Sequence, residues 1–404
     1  MEQKLHYQQA RTLLLQQVAP LETEIVPLEQ CGGRVLAEDI AAEEDIPPFD
    51  RSPYDGYAFR ASDTAGASPE RPVTLRVLEE IPAGSVPRFP VMLGTASRLM
   101  TGAPIPVGAD AVVMYEKTQF TQDTVTIFQS FAPGTNIVRA GEDIRVGTVL
   151  AHRGARIDPG LAGTLASLGI VRPTVYRVPK IGILSTGNEL AEAEQTPEPG
   201  RIRNSNRYAL AAALNREGWE AVYLGTAGDD TAAIAALLER GLAECDAVLS
   251  TGGVSVGDFD LTPIAMEQAG AHLLFQRTDI KPGMACAYGM REGKLVCALS
   301  GNPASALTNF YVLALPALKQ LAGYRTPLPA EFPVSLAEGF PKQSTATRFL
   351  RGKLEIRDRR AWMATSRDQG NVVLSSAIGC DMMAAIPAGS GPVPAGTELN
   401  GFLL

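Results

Sequence analysis

Residues 180–189, KIGILSTGNE, decide the fold, because a short apolar run ends abruptly in glycine and polar residues. Helical patterns such as RYALAAALNREG (207–218) follow this run along the chain. The same strand-to-loop pattern occurs again in EAVYL before GTAGDD (220–230), DAVL before STGGVSVGD (246–258) and LVCAL before SGNP (295–303). Apolar strands that alternate with helices predict a parallel sheet covered by helices on both faces.

The sequence on either side of this α/β part predicts β-rich structure. The chain opens on a helical pattern, LHYQQARTLLLQQVA (5–19), and a proline-rich elbow at 46–50 introduces short β-branched runs such as VTLRVL (73–78). We therefore expect an α/β plus β fold centred on a doubly wound, mostly parallel sheet. The predicted parts are an N-terminal linker region at 1–46 and 144–177, an inserted β-rich domain at 47–143, the α/β domain at 178–327 and a small β-barrel-like domain at 328–404.

Composition and charge exclude several classes of function. The 404 residues include 36 Lys and Arg against 44 Asp and Glu, a formal charge of −8, so the chain lacks the basic surface of a general nucleic-acid binder. The 3 histidines are isolated from one another and from cysteine, which excludes an ordinary zinc spacing. The sequence also lacks a P-loop and the glycine motif of dinucleotide-binding folds.

Cysteine usage and hydropathy predict a cytoplasmic protein that does not cross a membrane. The 5 cysteines form no C-x-x-C pair, and their odd number argues against a disulfide framework. We find no signal-peptide pattern at the N-terminus. The uncharged stretch 295–318 is long enough to span a bilayer, but Gly301-Asn302-Pro303 interrupts it, so we interpret it as a strand, a turn and a helix.

The four polar loops that follow the apolar strands predict a phosphate-handling site. Because the carboxyl ends of parallel strands meet at one edge of a sheet, we expect these loops to lie together. Glycines allow close approach of backbone N–H groups to an anion, and Asn302 with Pro303 is a favourable start for a helix that faces one. The carboxylates in these loops, which are Glu189, Asp229 or Asp230, Asp258 and Asp260, would need a cation beside phosphate, and Mg²⁺ fits that need. One of the neighbours Asp229 and Asp230 is expected to be only a helix N-cap.

Motifs along nearly the whole chain resemble those of one family. The most distinctive is PFDRSPYDGYA at 48–58, and the others follow in family order. They are RLMTGAPIP (98–106), GADAVV (108–113), GEDI (141–144), STGNEL (185–190), GDD (228–230), STGGVSVGDFD (250–260), IKPG (280–283) and SGNPAS (300–305). The chain is similar to the molybdopterin molybdotransferases, the family of MoeA and of the C-terminal domain of gephyrin.

This resemblance implies a molybdopterin-binding α/β domain and the last step of molybdenum cofactor synthesis. Molybdate would be inserted into adenylylated molybdopterin, and AMP would be released with Mg²⁺ as cofactor. The implied metal ligands are Glu189, Asp229 and Asp260. The residues implied to bind substrate are Ser250, Gly252, Gly253, Ser255, Arg277, Lys281, Ser300, Gly301, Asn302, Pro303 and Arg351, with Arg348, Arg351 and Lys281 as candidates for the molybdate oxyanion.

The resemblance also implies a homodimer whose catalytic site uses both subunits. The implied catalytic residues are Asp55, Thr101 and Asp143 from the β-rich domain, which would reach the α/β site of the other subunit, together with Glu189, Asp229 and Asp260. The molybdopterin adenylyltransferase and apo-molybdoenzymes are implied protein partners. Three alternatives stay open: a scaffold that binds molybdopterin without turnover, another enzyme built on the same α/β domain, and a preference for tungstate over molybdate.

Overall fold

The computed structural model describes residues 4–254, 261–366 and 368–404. These residues form two compact units. The first comprises the chain up to Glu38 with Arg153–Asp158 and Arg172–Leu404, and the second comprises Asp39–His152 and Pro159–Val171. The finer division into four domains stays a prediction.

Helices occur in both units. In the described residues they are α1 (Tyr7–Gln17), α2 (Pro159–Ser167), α3 (Ser205–Arg216), α4 (Thr231–Glu244), α5 (Leu261–Gln268), α6 (Pro303–Asn309) and α7 (Leu315–Leu321). A π-helical turn, Phe310–Ala314, joins α6 to α7. Short 3-10 turns lie at Leu28–Gln30, Ala61–Thr64, Tyr115–Lys117 and Leu374–Ala377.

The strands are numbered in chain order within the same described residues. They are β1 (Thr23–Ile25), β2 (Ile40–Ala41), β3 (Gly56–Phe59), β4 (Val73–Ile81), β5 (Thr95–Leu99), β6 (Ala111–Met114), β7 (Thr118–Phe120), β8 (Thr124–Ile127), β9 (Val149–Ala151), β10 (Thr174–Tyr176), β11 (Lys180–Thr186), β12 (Leu190–Ala191), β13 (Ile202–Arg203), β14 (Glu220–Ala227), β15 (Ala247–Thr251), β16 (His272–Gln276), β17 (Ile280–Lys281), β18 (Ala287–Arg291), β19 (Lys294–Leu299), β20 (Glu331–Leu336), β21 (Thr347–Arg357), β22 (Arg360–Thr365), β23 (Met382–Ile386) and β24 (Glu398–Leu403).

The first unit is built around a six-stranded sheet in the order β14-β11-β15-β19-β18-β16. The pairs β14/β11, β11/β15 and β15/β19 are parallel, and β18 and β16 add an antiparallel edge. Successive side chains of a strand point to opposite faces, so Ile183 packs in the cluster with Leu210 of α3, and Leu184 packs in the cluster with Leu238 of α4. Helices therefore cover both faces, which confirms the predicted doubly wound, mostly parallel sheet.

The C-terminal strands of the first unit close into a small barrel. Their order is β21-β22-β20-β24-β23, and β23 pairs back with β21. Alternate side chains such as Leu336, Leu350 and Met382 fill the interior, because closure of the sheet buries one face of every strand. The predicted β-barrel-like domain is thus confirmed. The short strand β17 extends this sheet through its parallel pairing of Lys281 with Arg348.

The second unit contains a six-stranded, mainly antiparallel sheet in the order β6-β3-β5-β4-β8-β7. Tyr57, Phe59, Leu75 and Val125 are buried in its core. This sheet is the inserted β-rich domain that the short β-branched runs predict. Among the described residues of the whole chain, no helix combines the length and the apolar character that crossing a membrane requires.

An ion pair joins the N-terminal ends of two central strands in the first unit. Two oxygens of Asp246, next to β15, accept hydrogen bonds from the Arg177 guanidinium at 2.7 and 2.9 Å, and the Lys180 N–H of β11 donates to the same carboxylate at 2.8 Å. Burial alone would raise the pKa of the Asp246 carboxyl, but the Arg177 and Lys180 donors outweigh it and hold that pKa below its usual range.

We expect Asp246→Asn to lower the free energy of unfolding by about 2 kcal/mol at pH 7, because it removes a charge-assisted pair from a mostly buried site. The depressed pKa means that the stabilisation is complete above the unfolded carboxyl pKa and is lost as the pH falls through the folded pKa. Urea unfolding at pH 7 and at about pH 3 measures this. A difference between the two proteins that stays constant across that range would contradict it.

Candidate functional site

A cavity of about 520 Å³ lies at the carboxyl edge of the central sheet. The ends of β11, β15 and β19 and the loop after β14 form its floor, and the first turn of α3 forms one wall. It is lined by Thr186, Gly187, Glu189, Leu190, Ile202, Arg203, Asn204, Ser205, Asn206, Asp229, Thr251, Gly252, Gly253, Val254, Ser300, Gly301, Asn302, Pro303 and Val372. The structure therefore brings together the four polar loops that the sequence predicts at one edge.

The glycine pair after β15 forms part of the cavity floor because no larger residue fits there. Gly252 and Gly253 have φ angles of +98° and +65°, in the region that side chains disfavour. A Cβ atom on Gly252 would lie 2.5 Å from the Thr186 carbonyl oxygen, and one on Gly253 would lie 2.4 Å from Oγ1 of Thr262. Thr262 in turn donates to the Gly252 carbonyl at 3.0 Å. The loop is tightly packed, and the Gly252 N–H is also used within the protein, because it donates to the Leu299 carbonyl at 3.0 Å.

The loop after β19 forms the opposite wall at the start of α6. Asn302 occupies the N-cap position, but its side chain makes no capping hydrogen bond, and its N–H donates to Oγ of Ser300 at 3.3 Å. Asn206 of α3 is 8% exposed and donates from Nδ2 to the Gly301 carbonyl at 2.8 Å, while its Oδ1 has no partner. Asn206 lines the cavity wall, and the sequence alone assigned it no role. Asn204 and Asn302 also line the cavity.

The two neighbouring aspartates after β14 have different roles. Asp230 is the N-cap of α4 and accepts from the N–H groups of Ala232 and Ala233, both at 3.3 Å. Asp229 instead lines the cavity and accepts from Nδ2 of Asn188 at 2.9 Å, while its own N–H donates to the Asn188 side chain at 3.3 Å. The expectation that one of the pair is a helix N-cap holds for Asp230, and the role of Asp229 as a ligand stays a prediction.

Glu189 brings a second carboxylate to the same cavity. Its side chain folds back over Gly187, where an added Cβ would lie 2.3 Å from Oε2. Gly187 has φ +138°, so the close approach depends on glycine at this position. Glu189 and Asp229 supply two carboxylates, and among the described residues no group of three His, Cys, Asp or Glu side chains is placed to hold a metal ion.

Three other predicted site residues either fall outside the described residues or lie away from the cavity lining. Asp260, the third implied metal ligand, and Ser255 lie outside the described residues, so the predicted metal triad stays a prediction. Ser250 is fully buried inside β15, its hydroxyl has no hydrogen-bond partner, and it does not line the cavity. The reason is strand geometry, because the next residue, Thr251, is the one that reaches the open end of the strand.

The cationic residues predicted for substrate lie outside the cavity lining. Arg277 has φ +63° and pairs its N–H with the Cys286 carbonyl at 2.9 Å, and Lys281 is exposed on β17 beside Arg348 of β21. Arg351 is only 1% exposed, and its guanidinium donates to Oγ of Ser376 at 2.9 Å from Nη2.

Burial lowers the pKa of both buried arginines, Arg348 and Arg351. Among the described residues, Nε of Arg348 and Nη1 of Arg351 each lack a hydrogen-bond partner, although a buried guanidinium normally uses all its donors. The two residues are three apart on β21 and therefore point to opposite faces of its sheet.

Two predicted catalytic residues of the β-rich domain meet within the second unit. Oδ1 of Asp55 accepts from both the hydroxyl and the backbone N–H of Thr101, each at 2.7 Å. These two bonds, with the charge of Arg98, lower the pKa of the Asp55 carboxyl. Asp143 lies in the same unit and is exposed in a loop. Its N–H donates to the Ile46 carbonyl at 3.0 Å.

The buried cysteines of the first unit are not placed for catalysis. Burial raises the pKa of the Cys286 thiol to about 11 and that of Cys297 well above its ordinary value. A thiol of that kind carries almost no thiolate at neutral pH and is a poor nucleophile. Both cysteines belong to the hydrophobic core of this unit.

Comparison with known proteins decides the family. A family model described as the MoeA N-terminal region (domain I and II) matches residues 5–169, and one described as a probable molybdopterin binding domain matches residues 182–320. A protein of Bacillus subtilis named molybdopterin molybdenumtransferase is 41% identical over 334 residues, 82% of this chain and 78% of that protein. The chain belongs to the molybdopterin molybdenumtransferase family. The resemblance drawn from its motifs is therefore confirmed.

Two further family members agree over almost the full length. A Staphylococcus aureus protein with the same name is 36% identical over 389 residues, 96% of this chain and 92% of that protein. The crystal structure of a molybdopterin biosynthesis MoeA protein from Pyrococcus horikoshii OT3 superimposes with a TM-score of 0.85 at 34% identity, covering 100% of both chains. The fold class is thus that of the family.

We expect Thr101→Val to raise the pKa of the Asp55 carboxyl towards its ordinary value, because valine keeps the shape and the backbone N–H but removes the hydroxyl donor. Carbon-13 NMR titration of the aspartate carboxyls measures the shift. Thr118→Val, which removes a hydroxyl that donates only to the Tyr115 carbonyl, is the control and leaves the Asp55 titration unchanged. An Asp55 pKa that does not move in Thr101→Val would contradict the assigned role of the hydroxyl.

Proposed function

We propose that this protein inserts molybdate into adenylylated molybdopterin and releases AMP, as the last step of molybdenum cofactor synthesis. The observation that carries the proposal is the cavity, which joins two carboxylates, a glycine loop and a helix start at one edge of the sheet. Relatives over most of the chain bear the name molybdopterin molybdenumtransferase, which supports the same reaction. A cytoplasmic location fits this role.

The glycine loop and the α6 start would hold the phosphates of the substrate. The Gly252 N–H already donates to the Leu299 carbonyl at 3.0 Å, so the Gly253 N–H is the donor that this loop would offer to an anion. Neither glycine has a side chain that would block the anion. Within the described residues, the Asn302 side chain makes no capping hydrogen bond. Ser300, Gly301 and Pro303 complete this wall of the cavity. These groups would orient the phosphoanhydride for cleavage and stabilise charge on the oxygens as AMP leaves.

Glu189 and Asp229 would hold Mg²⁺ together with Asp260. The fit rests on the donor set, because both carboxylates face the cavity, no ion pair to Lys or Arg engages them within the described residues, and carboxylate oxygens are the hard ligands that Mg²⁺ prefers. Bound Mg²⁺ would polarise the phosphoanhydride and neutralise its charge. The Asn188 side chain would keep one oxygen of Asp229 oriented and leave the other available.

Arg351, Arg348 and Lys281 are the candidates for binding the molybdate oxyanion. The two arginines are buried and have N–H groups with no partner among the described residues, and Lys281 lies beside Arg348 through strand pairing. A tetrahedral dianion needs donors and positive charge, and each of these residues offers both. Arg277 would meet a further oxyanion of the substrate.

The active assembly would be a homodimer in which Asp55, Thr101 and Asp143 of each subunit complete the site of the other. The molybdopterin adenylyltransferase would supply the substrate, and apo-molybdoenzymes would accept the product. The two hydrogen bonds from Thr101 to Asp55 support a joint role for these residues, because they favour the charged form of the carboxylate and fix its orientation.

We expect Asp229→Asn to slow AMP release about a hundredfold, because it removes a charged Mg²⁺ ligand while keeping the contact to Asn188. The neighbouring variant Asp230→Asn is the matched control, since asparagine is as good an N-cap as aspartate, and it keeps the activity. Chromatographic measurement of AMP from adenylylated molybdopterin with Mg²⁺ and molybdate separates the two. Equal activity of both variants would sink the proposed role of Asp229.

Mixed dimers test the shared site. We expect Asp55→Ala and Asp229→Asn chains to be nearly inactive alone, and their heterodimer to regain about a quarter to a half of the activity, because one complete site forms in each heterodimer. Purification with two different affinity tags gives the verified heterodimer for the AMP assay. An inactive heterodimer would mean that each site uses one chain only.

A further inference from the structure

A compact cluster of polar side chains lies behind the cavity wall, and none of its members is assigned a role above. Oε2 of Glu192 accepts from Nη1 of Arg207 at 2.5 Å, and Oε1 accepts from the hydroxyls of Tyr223 at 2.9 Å and Thr226 at 3.3 Å. The Arg207 guanidinium carbon also lies 3.6 Å from the centre of the Tyr223 ring. The Glu192 carboxylate therefore binds one cation and two hydroxyls, so both of its oxygens have hydrogen-bond partners.

The cluster joins three elements, which the side chains of Asn204 and Tyr208 also connect. Glu192 follows β12, Arg207 lies in the first turn of α3, and Tyr223 with Thr226 lies on β14. The loop from Gly187 to Asn204, here called the 187–204 loop, carries β12 and β13 in parallel pairing. Glu192 is thus the side chain that fastens this loop to the core of the α/β sheet.

The Glu192 contacts involve the segments that carry both carboxylates of the cavity, Glu189 and Asp229. Glu189 is three residues before Glu192, and its carbonyl accepts from the Ile202 N–H at 2.8 Å, so its backbone moves with the pair β12–β13. Asp229 follows β14, the strand that supplies Tyr223 and Thr226 to the cluster. The Glu192 contacts therefore act together with the two Asn188–Asp229 hydrogen bonds to set the distance between the segment that bears Glu189 and the strand that leads to Asp229.

We propose that Glu192 is a positioning residue for divalent-cation binding, acting through Arg207, Tyr223 and Thr226 to hold Glu189 opposite Asp229. The inference rests on the proposed function, since it takes these two carboxylates as the cation ligands. Residues behind a ligand orient it, and their substitution commonly lowers metal affinity ten- to a hundredfold. Glu192 itself does not line the cavity.

The test measures cation binding by the full chain, without turnover. Mn²⁺ replaces Mg²⁺ as the probe, AMP is present, and electron paramagnetic resonance reports free Mn²⁺. We expect Glu192→Gln to weaken Mn²⁺ binding about tenfold, because the amide keeps the shape but loses the charge that holds Arg207. Tyr223→Phe, which removes one hydroxyl donor and keeps the ring, weakens it in the same direction by a smaller factor.

Glu194→Gln is the matched control. Glu194 lies in the same loop, and its substitution by Gln removes the same charge. Among the described residues, the hydrogen-bond partner of its side chain is the Tyr208 hydroxyl at 3.3 Å, outside the Glu192 cluster. We expect its Mn²⁺ affinity to stay within about twofold of that of the unmodified chain. Calorimetric affinity for AMP without metal is expected to be unchanged in all variants, which separates a displaced cation site from general loss of structure.

Three results would overturn the proposal. If Glu192→Gln binds Mn²⁺ as tightly as the unmodified chain, Glu192 does not position the site, and the proposed reaction is unaffected. If Glu194→Gln weakens binding equally, net charge rather than the Glu192 cluster is the cause. If the unmodified chain with AMP binds no Mn²⁺, the cation role of Glu189 and Asp229 falls together with this inference.

Discussion

The hydrogen-bonded register of β11 with its neighbours is the constraint on which the rest of the site depends. Parallel pairing places Thr186 opposite Ala227 of β14 and Ser185 opposite Thr251 of β15, and β15 in turn places Thr251 opposite Leu299 of β19. Adjacent strands are about 4.8 Å apart, so four strands that end at one level deliver their loops to a space the size of a small ligand. The cavity is the consequence of this common ending.

Local side-chain bonds then give each loop its direction. Asn188 with Asp229, Thr262 with Gly252, and Asn206 with Gly301 each fix one loop against a neighbour. Such bonds carry little net stability individually, but they preorganise the groups that face the cavity. The buried Arg351 of the barrel is held in a similar way, because it donates to Oγ of Ser376 while another of its N–H groups has no partner among the described residues.

The sequence was sufficient for features that depend on local pattern. Apolar runs predicted β11, β14, β15 and β19, and the capping rule predicted that one of Asp229 and Asp230 is an N-cap, because both features follow from spacing along the chain. Only the structure shows that the cap is Asp230. Features that depend on distant residues were not predicted. The antiparallel edge β18–β16 and the π-helical turn at 310–314 arise from packing, and the contacts of Glu192 join residues up to 34 positions apart. No local signal in one sequence marks such pairs.

The most direct test of the account is AMP release from adenylylated molybdopterin by the purified protein with Mg²⁺, measured with and without molybdate. The account predicts that molybdate stimulates AMP release and that the product activates an apo-molybdoenzyme. Tight binding of the substrate with no AMP release under either condition would contradict it and would favour a scaffold that holds molybdopterin for another protein.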